Sequence, residues 1–287
     1  MPLHLSEDEI VERANLLPAF PRVVADILAT IDDDNATVST LIELVESDPV
    51  ITARVFSLAN SAAKSGNWRK GLRDMHVAIS MIGLSRLRQV VISLSLADFA
   101  RQTRVTRGYW DHSVAVGVAA QELARLRPMP ESSLVSADYA LVAGLLHDIG
   151  LLWMARFYPL EYQMARQAVA MSGESNLDIE RRYFGTDHCQ IGRILATGWG
   201  LPSSIIEAIA NHHRPTPAAG RIVAITLVAE VLVVALGKGM NGHVLSLNLS
   251  ETACVAAGLD WKDDQSSLFG RIEARSHHLG RIFQAVA

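Results

Sequence analysis

The stretch from Ile222 to Leu236 constrains the fold more than any other part of the chain. It is almost wholly apolar, yet it carries Glu230 near its middle. It is too short to span a bilayer, and the acid counts further against insertion. A buried core helix is the better reading, which leaves a carboxylate inside the core to be explained. An unpartnered buried carboxylate is costly, so a metal or a cationic partner is expected beside it.

The rest of the chain reads as helix after helix. Asp48-Pro49 is an N-cap followed by the first helical position, where proline is tolerated. Val50, Ala53, Arg54, Ser57 and Leu58 follow with helical spacing, and Asn60 and Ser61 are the expected stop. Val77 to Ile82 is a short apolar helix broken by Gly83, and Ser85 is placed to cap a helix through Leu87, Val90, Val91 and Leu94. His112, Val116, Ala119, Ala120 and Leu123 share one helix face that ends before Pro128 and Pro130. Ala137 to Leu146 runs as an apolar helix into His147-Asp148-Ile149-Gly150. Helices are expected again from His188 to Ala196, from Ser203 to His212-His213, around Ser250 to Leu259, and near Arg271 to Phe283. No segment shows sustained period-two alternation, so almost no sheet is expected.

Composition narrows the class of protein. With 49% hydrophobic and 20% charged residues, the chain is neither disordered nor of low complexity. A net charge of −4 gives no general attraction to nucleic acid or to anionic lipid, and neither is expected as a partner. Two cysteines, Cys189 and Cys254, exclude a disulfide framework and favour a reducing cytoplasm. The N-terminus lacks the basic, apolar and small-residue succession of a signal peptide.

The chemistry-bearing residues are His112, His147, Asp148, His188, His212, His213 and Glu230, each set within or beside an apolar helical segment. Imidazole nitrogen and carboxylate oxygen are the donors that hold borderline or hard divalent metals. His147 and Asp148 at a helix end can reach one ion together, because the chain turns there and Gly150 releases it. One histidine on an apolar face is usually a satisfied core residue, and one His-Asp dipeptide recurs by chance. Six or seven such groups, all abutting apolar helical segments, favour a shared polar cluster.

The segment Gly144-Leu145-Leu146-His147-Asp148-Ile149-Gly150 resembles the defining motif of HD-superfamily phosphohydrolases. The more specific resemblance is to the HDOD domain, a signalling relative found in bacteria, over about residues 17–215. Five blocks carry it in the family's order. They are Leu17-Pro18-Ala19-Phe20-Pro21; Asp48-Pro49 with Arg54 and Ala59-Asn60-Ser61; Ala78-Ile79 with Ile82-Gly83-Leu84; Gly185-Thr186-Asp187-His188 with Gly192; and Trp199-Gly200-Leu201-Pro202 with His212-His213. The resemblance implies an all-α, two-lobed helical bundle, with an N-terminal lobe over residues 1–106 and an HD-like lobe over residues 107–287. It implies that His112, His147 and Asp148 match the ligands of catalytic HD enzymes, with Asp148 the candidate catalytic residue. His188, His212 and His213 resemble the added histidines of HD-GYP phosphodiesterases, and Glu230 stands at their final aspartate position. A divalent ion (iron, manganese, zinc or magnesium) is the implied cofactor.

Departures from the HD-GYP pattern are equally informative. The lysine that contacts substrate phosphate there is Leu151 here, and His212-His213 runs into Arg214-Pro215-Thr216-Pro217 in place of the Gly-Tyr-Pro signature. The expected function is therefore a signal-transduction module that acts through a protein partner or a nucleotide ligand. The alternative is a metal-dependent phosphohydrolase acting on a nucleotide or cyclic dinucleotide. Gly237-Lys238-Gly239-Met240-Asn241-Gly242 fits a dinucleotide-binding pattern but follows a helix, so a loop is expected. Lys64, Arg69, Lys70, Arg73, Arg86 and Arg88 read as a solvated basic face.

Overall fold

The structure is a computed structural model that describes residues 3–14, 16, 26–27, 30–31, 35–63, 74–84, 86–87, 90–91, 107–126, 137–214, 220–240, 251–260 and 265–286. It is all-α, with no strand among the described residues. The chain forms two compact units: Met1–Pro18 with Thr103–Arg281, and Ala19–Gln102 with Ile282–Ala287.

In the second unit, α2 (Val38–Glu46), α3 (Pro49–Ala63) and α4 (Met75–Ile82) pack on one another. The Asp48 cap is present, its Oδ1 accepting from the Ile51 N–H at 3.0 Å. Helix α3 continues past Asn60 and Ser61 to Ala63, because asparagine and serine lower helix propensity only modestly and do not break a helix. Helix α4 is capped by Asp74 and ends at Gly83, whose φ of 77° suits glycine. Ser85, Leu94, the block Leu17–Pro21 and all the basic-face residues except Arg86 lie outside the described residues.

The larger unit is built around two helices. These are α5 (Arg107–Leu126) and α12 (Arg221–Val233), which pack against each other and against α6 (Ala137–Leu146). Helix α12 is the apolar run that carries Glu230, and it is buried on nearly every side. Its apolar residues join those of α5, α13 (Glu251–Ala257) and α14 (Ser266–Val286) in one core. Tyr139–Phe157 is apolar and long enough to cross a membrane, but 83% of that window is buried inside the fold. Its surface is already consumed by packing. Helix α12 continues into a π-helical turn, Val234–Lys238, where Gly237 takes a φ of 74°. The glycine-rich pattern thus follows a helix, as expected, although its end at Asn241 and Gly242 lies outside the described residues.

The remaining helices frame one end of this unit. They are α7 (Ile149–Phe157), α8 (Pro159–Ser172), α9 (Asn176–Phe184), α10 (His188–Gly198) and α11 (Ser203–Asn211). Helix α1 (Glu7–Ala14) packs on α10 and buries Ile10. The Leu3 N–H donates to the Tyr183 carbonyl at 2.7 Å, and the Leu5 N–H to the Phe184 carbonyl at 3.0 Å. The first described helix therefore goes with the larger unit.

Candidate metal centre

The residues singled out in the sequence come from five elements and meet inside the larger unit. His112 lies on α5. His147 and Asp148 form the junction of α6 and α7, His188 opens α10, His212 and His213 end α11, and Glu230 sits in α12. The approach of these elements depends on glycine. A Cβ on Gly144 would lie 2.8 Å from the Gly117 Cα, so the two glycines let α5 and α6 close up. A Cβ on Gly150 would lie 2.0 Å from the His188 carbonyl oxygen, which brings the start of α10 against Asp148.

Asp148 is the hub. Its Oδ2 lies 3.2 Å from His147 Nε2 and 3.8 Å from His112 Nε2. Its Oδ1 lies 3.4 Å from His188 Nε2 and 3.6 Å from His212 Nε2. His147, Asp148, His188, His212 and Glu230 have no exposed surface, and His112 is 1% exposed. His213 stands at the edge, its ring 5.0 Å from that of His188 and its Nδ1 3.7 Å from Glu230 Oε2.

The far nitrogen of each inward ring faces an acceptor. His147 Nδ1 lies 2.7 Å from the Gly144 carbonyl, His212 Nδ1 2.9 Å from the Ile209 carbonyl, and His112 Nδ1 3.0 Å from the Lys238 carbonyl. His188 Nδ1 lies 2.7 Å from Glu180 Oε2, which also accepts the His188 backbone N–H at 2.9 Å. Only a protonated Nδ1 can donate in these places, so each neutral ring turns its Nε2 lone pair toward Asp148. Lone pairs then converge on a carboxylate, and the Nε2 atoms of His188 and His212 stand 3.3 Å apart. His147 Nε2, both Asp148 oxygens and both Glu230 oxygens are buried without a partner in hydrogen-bond geometry. A positive charge at the centre would satisfy all of them.

The electrostatics follow from the same crowding. Burial pushes the Asp148 carboxyl up, but His147, His212 and His188 hold it well below the ordinary carboxylate range. Burial disfavours charge on His188 and His212, yet Cys189, with Glu180 for the first ring and Asp148 for the second, raises both above the usual imidazole value. Burial and the neighbouring His147 lower His112 to about 4, while burial, His212 and His188 lower His213. Burial raises Glu230, the acid left unexplained by the sequence. The centre thus draws positive charge: His188 and His212 favour a second proton beside the ionised Asp148, a proton that metal binding would release, while His112 and His213 stay neutral, the form in which imidazole binds metal.

The structure therefore brings together every site residue singled out in the sequence. It adds two more. Glu180 precedes His188 by eight residues on a polar helix, and nothing in the sequence marks it. Cys189 is adjacent to His188 in the chain, and its Sγ lies 3.5 Å from His188 Nε2. Three ligand groupings result: His112, His147 and Asp148; His188, Cys189, His212 and His213; and His147, His212 and Glu230.

An all-helical fold with a buried His/Asp centre at the HD motif defines the class. The chain belongs to the HDOD family, whose domain matches residues 17–215. An uncharacterized protein of Treponema pallidum (strain Nichols) is 25% identical over 209 residues, 71% of this chain and 39% of that protein. The chain thus spans about two-fifths of the length of this curated relative. A solved HDOD domain protein of unknown function from Geobacter sulfurreducens aligns over 98% of this chain and 97% of its own, with a TM-score of 0.72 and 23% identity. A proposed signal transduction protein from Marinobacter aquaeolei VT8 has the same TM-score, 0.72, at 22% identity, covering 98% of this chain and 62% of its own. At such identities these two structures establish the shared fold.

Proposed function

We propose that this chain is an HDOD signalling module whose HD-like unit holds divalent metal as a structural and regulatory element, without phosphoester turnover. One observation carries the reading. The Nε2 atoms of His147, His188 and His212 converge on Asp148, and all four side chains are closed off from solvent. The donor set fits metal, and the closure fits a site that substrate does not enter.

His112, His147 and Asp148 Oδ2 would hold one ion, and Asp148 Oδ1, His188 and His212 a second, with His213 and Glu230 at the margin. A bound divalent ion supplies Lewis acidity and acidifies bound water. The protein's own contribution is to fix each ring through its Nδ1 partner and to exclude solvent. The place of the phosphate-contacting lysine is taken by an apolar side chain. Leu151 stands at its place and is 1% exposed, with its N–H 2.8 Å from the Asp148 carbonyl. The signalling role is supported by family membership and by the name of the Marinobacter relative, and its partner would be a signalling protein or a nucleotide. The near-complete ligand set supports a second reading, a metal-dependent phosphohydrolase acting on a nucleotide or cyclic dinucleotide.

Elemental analysis of the purified chain decides the first half: bound divalent metal is expected, and its loss in His147→Ala. Assay of the manganese-, iron- or zinc-loaded protein on phosphomonoesters and cyclic dinucleotides decides the second. No turnover is expected. Hydrolysis that disappears in His147→Ala would establish the phosphohydrolase instead.

A further inference from the structure

Cys189 has no part in the histidine and carboxylate pattern, yet its Sγ lies within 4.8 Å of ligand atoms of His188, His212 and His213, and the first two of these share Asp148 Oδ1. The three edges of that triangle are 3.3 Å between the Nε2 atoms of His188 and His212, 3.4 Å from His188 to Asp148 and 3.6 Å from His212 to Asp148. Nitrogen and oxygen ligands at about 2.0–2.1 Å around a tetrahedral ion are spaced by about 3.3 Å. The Cys189 Sγ lies 3.5 Å from His188 Nε2, and a thiolate at about 2.3 Å from the same ion would stand about 3.5 Å from a nitrogen ligand. It also lies 3.9 Å from His212 Nδ1, whose proton is turned to the Ile209 carbonyl. Independently of the cysteine, both oxygens of the fully buried Asp148 lack a hydrogen-bond partner and point into the cluster.

We propose that Cys189 is a thiolate ligand of the second metal position, completing with His188, His212 and Asp148 a four-coordinate N, N, O, S site selective for zinc. This rests on the metal-site reading above. Binding Zn2+ releases the thiol proton to solvent, and the sulfur lone pair forms the new bond. A soft donor favours zinc over manganese and magnesium, which prefer all-oxygen or oxygen-rich shells. A closed four-ligand shell also suits a structural ion better than a catalytic one, which keeps a position open.

Cobalt(II) added to the metal-stripped full chain tests the assignment. The expected spectrum has visible ligand-field bands and a near-ultraviolet thiolate-to-cobalt charge-transfer band, both bleached by zinc. In Cys189→Ser the charge-transfer band disappears while the ligand-field bands remain, and zinc affinity falls about tenfold or more. In Cys254→Ser both features persist. Should Cys189→Ser fold poorly, X-ray absorption at the zinc edge of the wild-type protein decides: one sulfur at about 2.3 Å is expected among nitrogen and oxygen neighbours. Cobalt bound with no charge-transfer band, a band that survives in Cys189→Ser, or a zinc shell without sulfur overturns the proposal and leaves the metal centre standing. A wild-type chain that takes up neither metal overturns both.

Discussion

Glu180 does for His188 what backbone carbonyls do for the other inward-facing imidazoles. Its Oε2 takes both the ring Nδ1–H at 2.7 Å and the backbone N–H at 2.9 Å, fixing the ring's tautomer and the start of α10 together. A carboxylate behind a ligating imidazole makes the ring a stronger donor, and losing one typically costs 10- to 100-fold in metal affinity. Glu180→Gln keeps the shape and removes the charge. Its zinc affinity, measured by chelator competition, is expected to fall about 10-fold, and that of Glu180→Ala about 100-fold. An unchanged affinity in Glu180→Gln would mean that His188 does not bind the ion. Sequence reading could not find Glu180, because its role depends on a turn between α9 and α10 that brings residue 180 back against residue 188. Cys189 is hidden for another reason: a single cysteine beside a histidine carries no metal-ligand spacing of its own.

At the scale of helices, the centre exists because two pairs of them, α5 with α6 and α7 with α10, approach closer than a side chain allows. An alanine Cβ at Gly150 would sit 2.0 Å from the His188 carbonyl oxygen, so α7 and α10 would have to separate. Overpacking of this kind costs about 1–3 kcal/mol or more. Gly150→Ala is therefore expected to lower the denaturant midpoint and to lose metal, since Asp148 and His188 are the groups pushed apart. Gly270 lies inside α14 with nothing within 4 Å of a Cβ, and Gly270→Ala is expected to stabilise by about 0.5–1 kcal/mol without touching metal content. Equal effects of the two substitutions in urea titrations would refute the close-approach account. The sequence carried much of this scale. Apolar periodicity located the helices bearing His112, His147, His188, His212 and Glu230, and their shared burial pointed to one cluster. It missed α1, α2, the buried α7 that follows the His-Asp turn, and the more polar helices α8 and α9. It also missed Asp74 as a cap and could not show that glycines in the HD motif exist for contacts between helices.

At the scale of the whole chain, the larger unit is closed by segments from both ends, α1 and α14, and local periodicity could not reveal which core either would join. Helix α1 is held through Ile10 and the strap at Leu3 and Leu5. Helix α14 is clamped to α5 by charge. Glu122 Oε2 accepts from Arg271 Nε at 2.7 Å, Glu122 Oε1 accepts from Arg125 at 3.1 Å and from Arg275, and Arg275 also donates to Gln121. The Glu122 carboxylate is nearly buried, so losing its charge strands arginines that have no other acceptor on α5 of equal strength. Burial pushes this carboxyl up, and Arg271 and Arg275 more than offset that, so it titrates below the ordinary glutamate range. A carboxyl whose folded pKa is depressed stabilises fully above its unfolded value, and the contribution fades as pH falls through the folded value. Glu122→Gln is thus expected to cost about 1.5–3 kcal/mol at neutral pH, the scale of hydrogen bonds to charged groups. The difference from wild type should shrink steadily as the pH is lowered below the ordinary carboxylate range. Urea unfolding of both proteins across that range measures it. A gap that stays constant down to the acid limit would show that shape, rather than charge, seats the last helix.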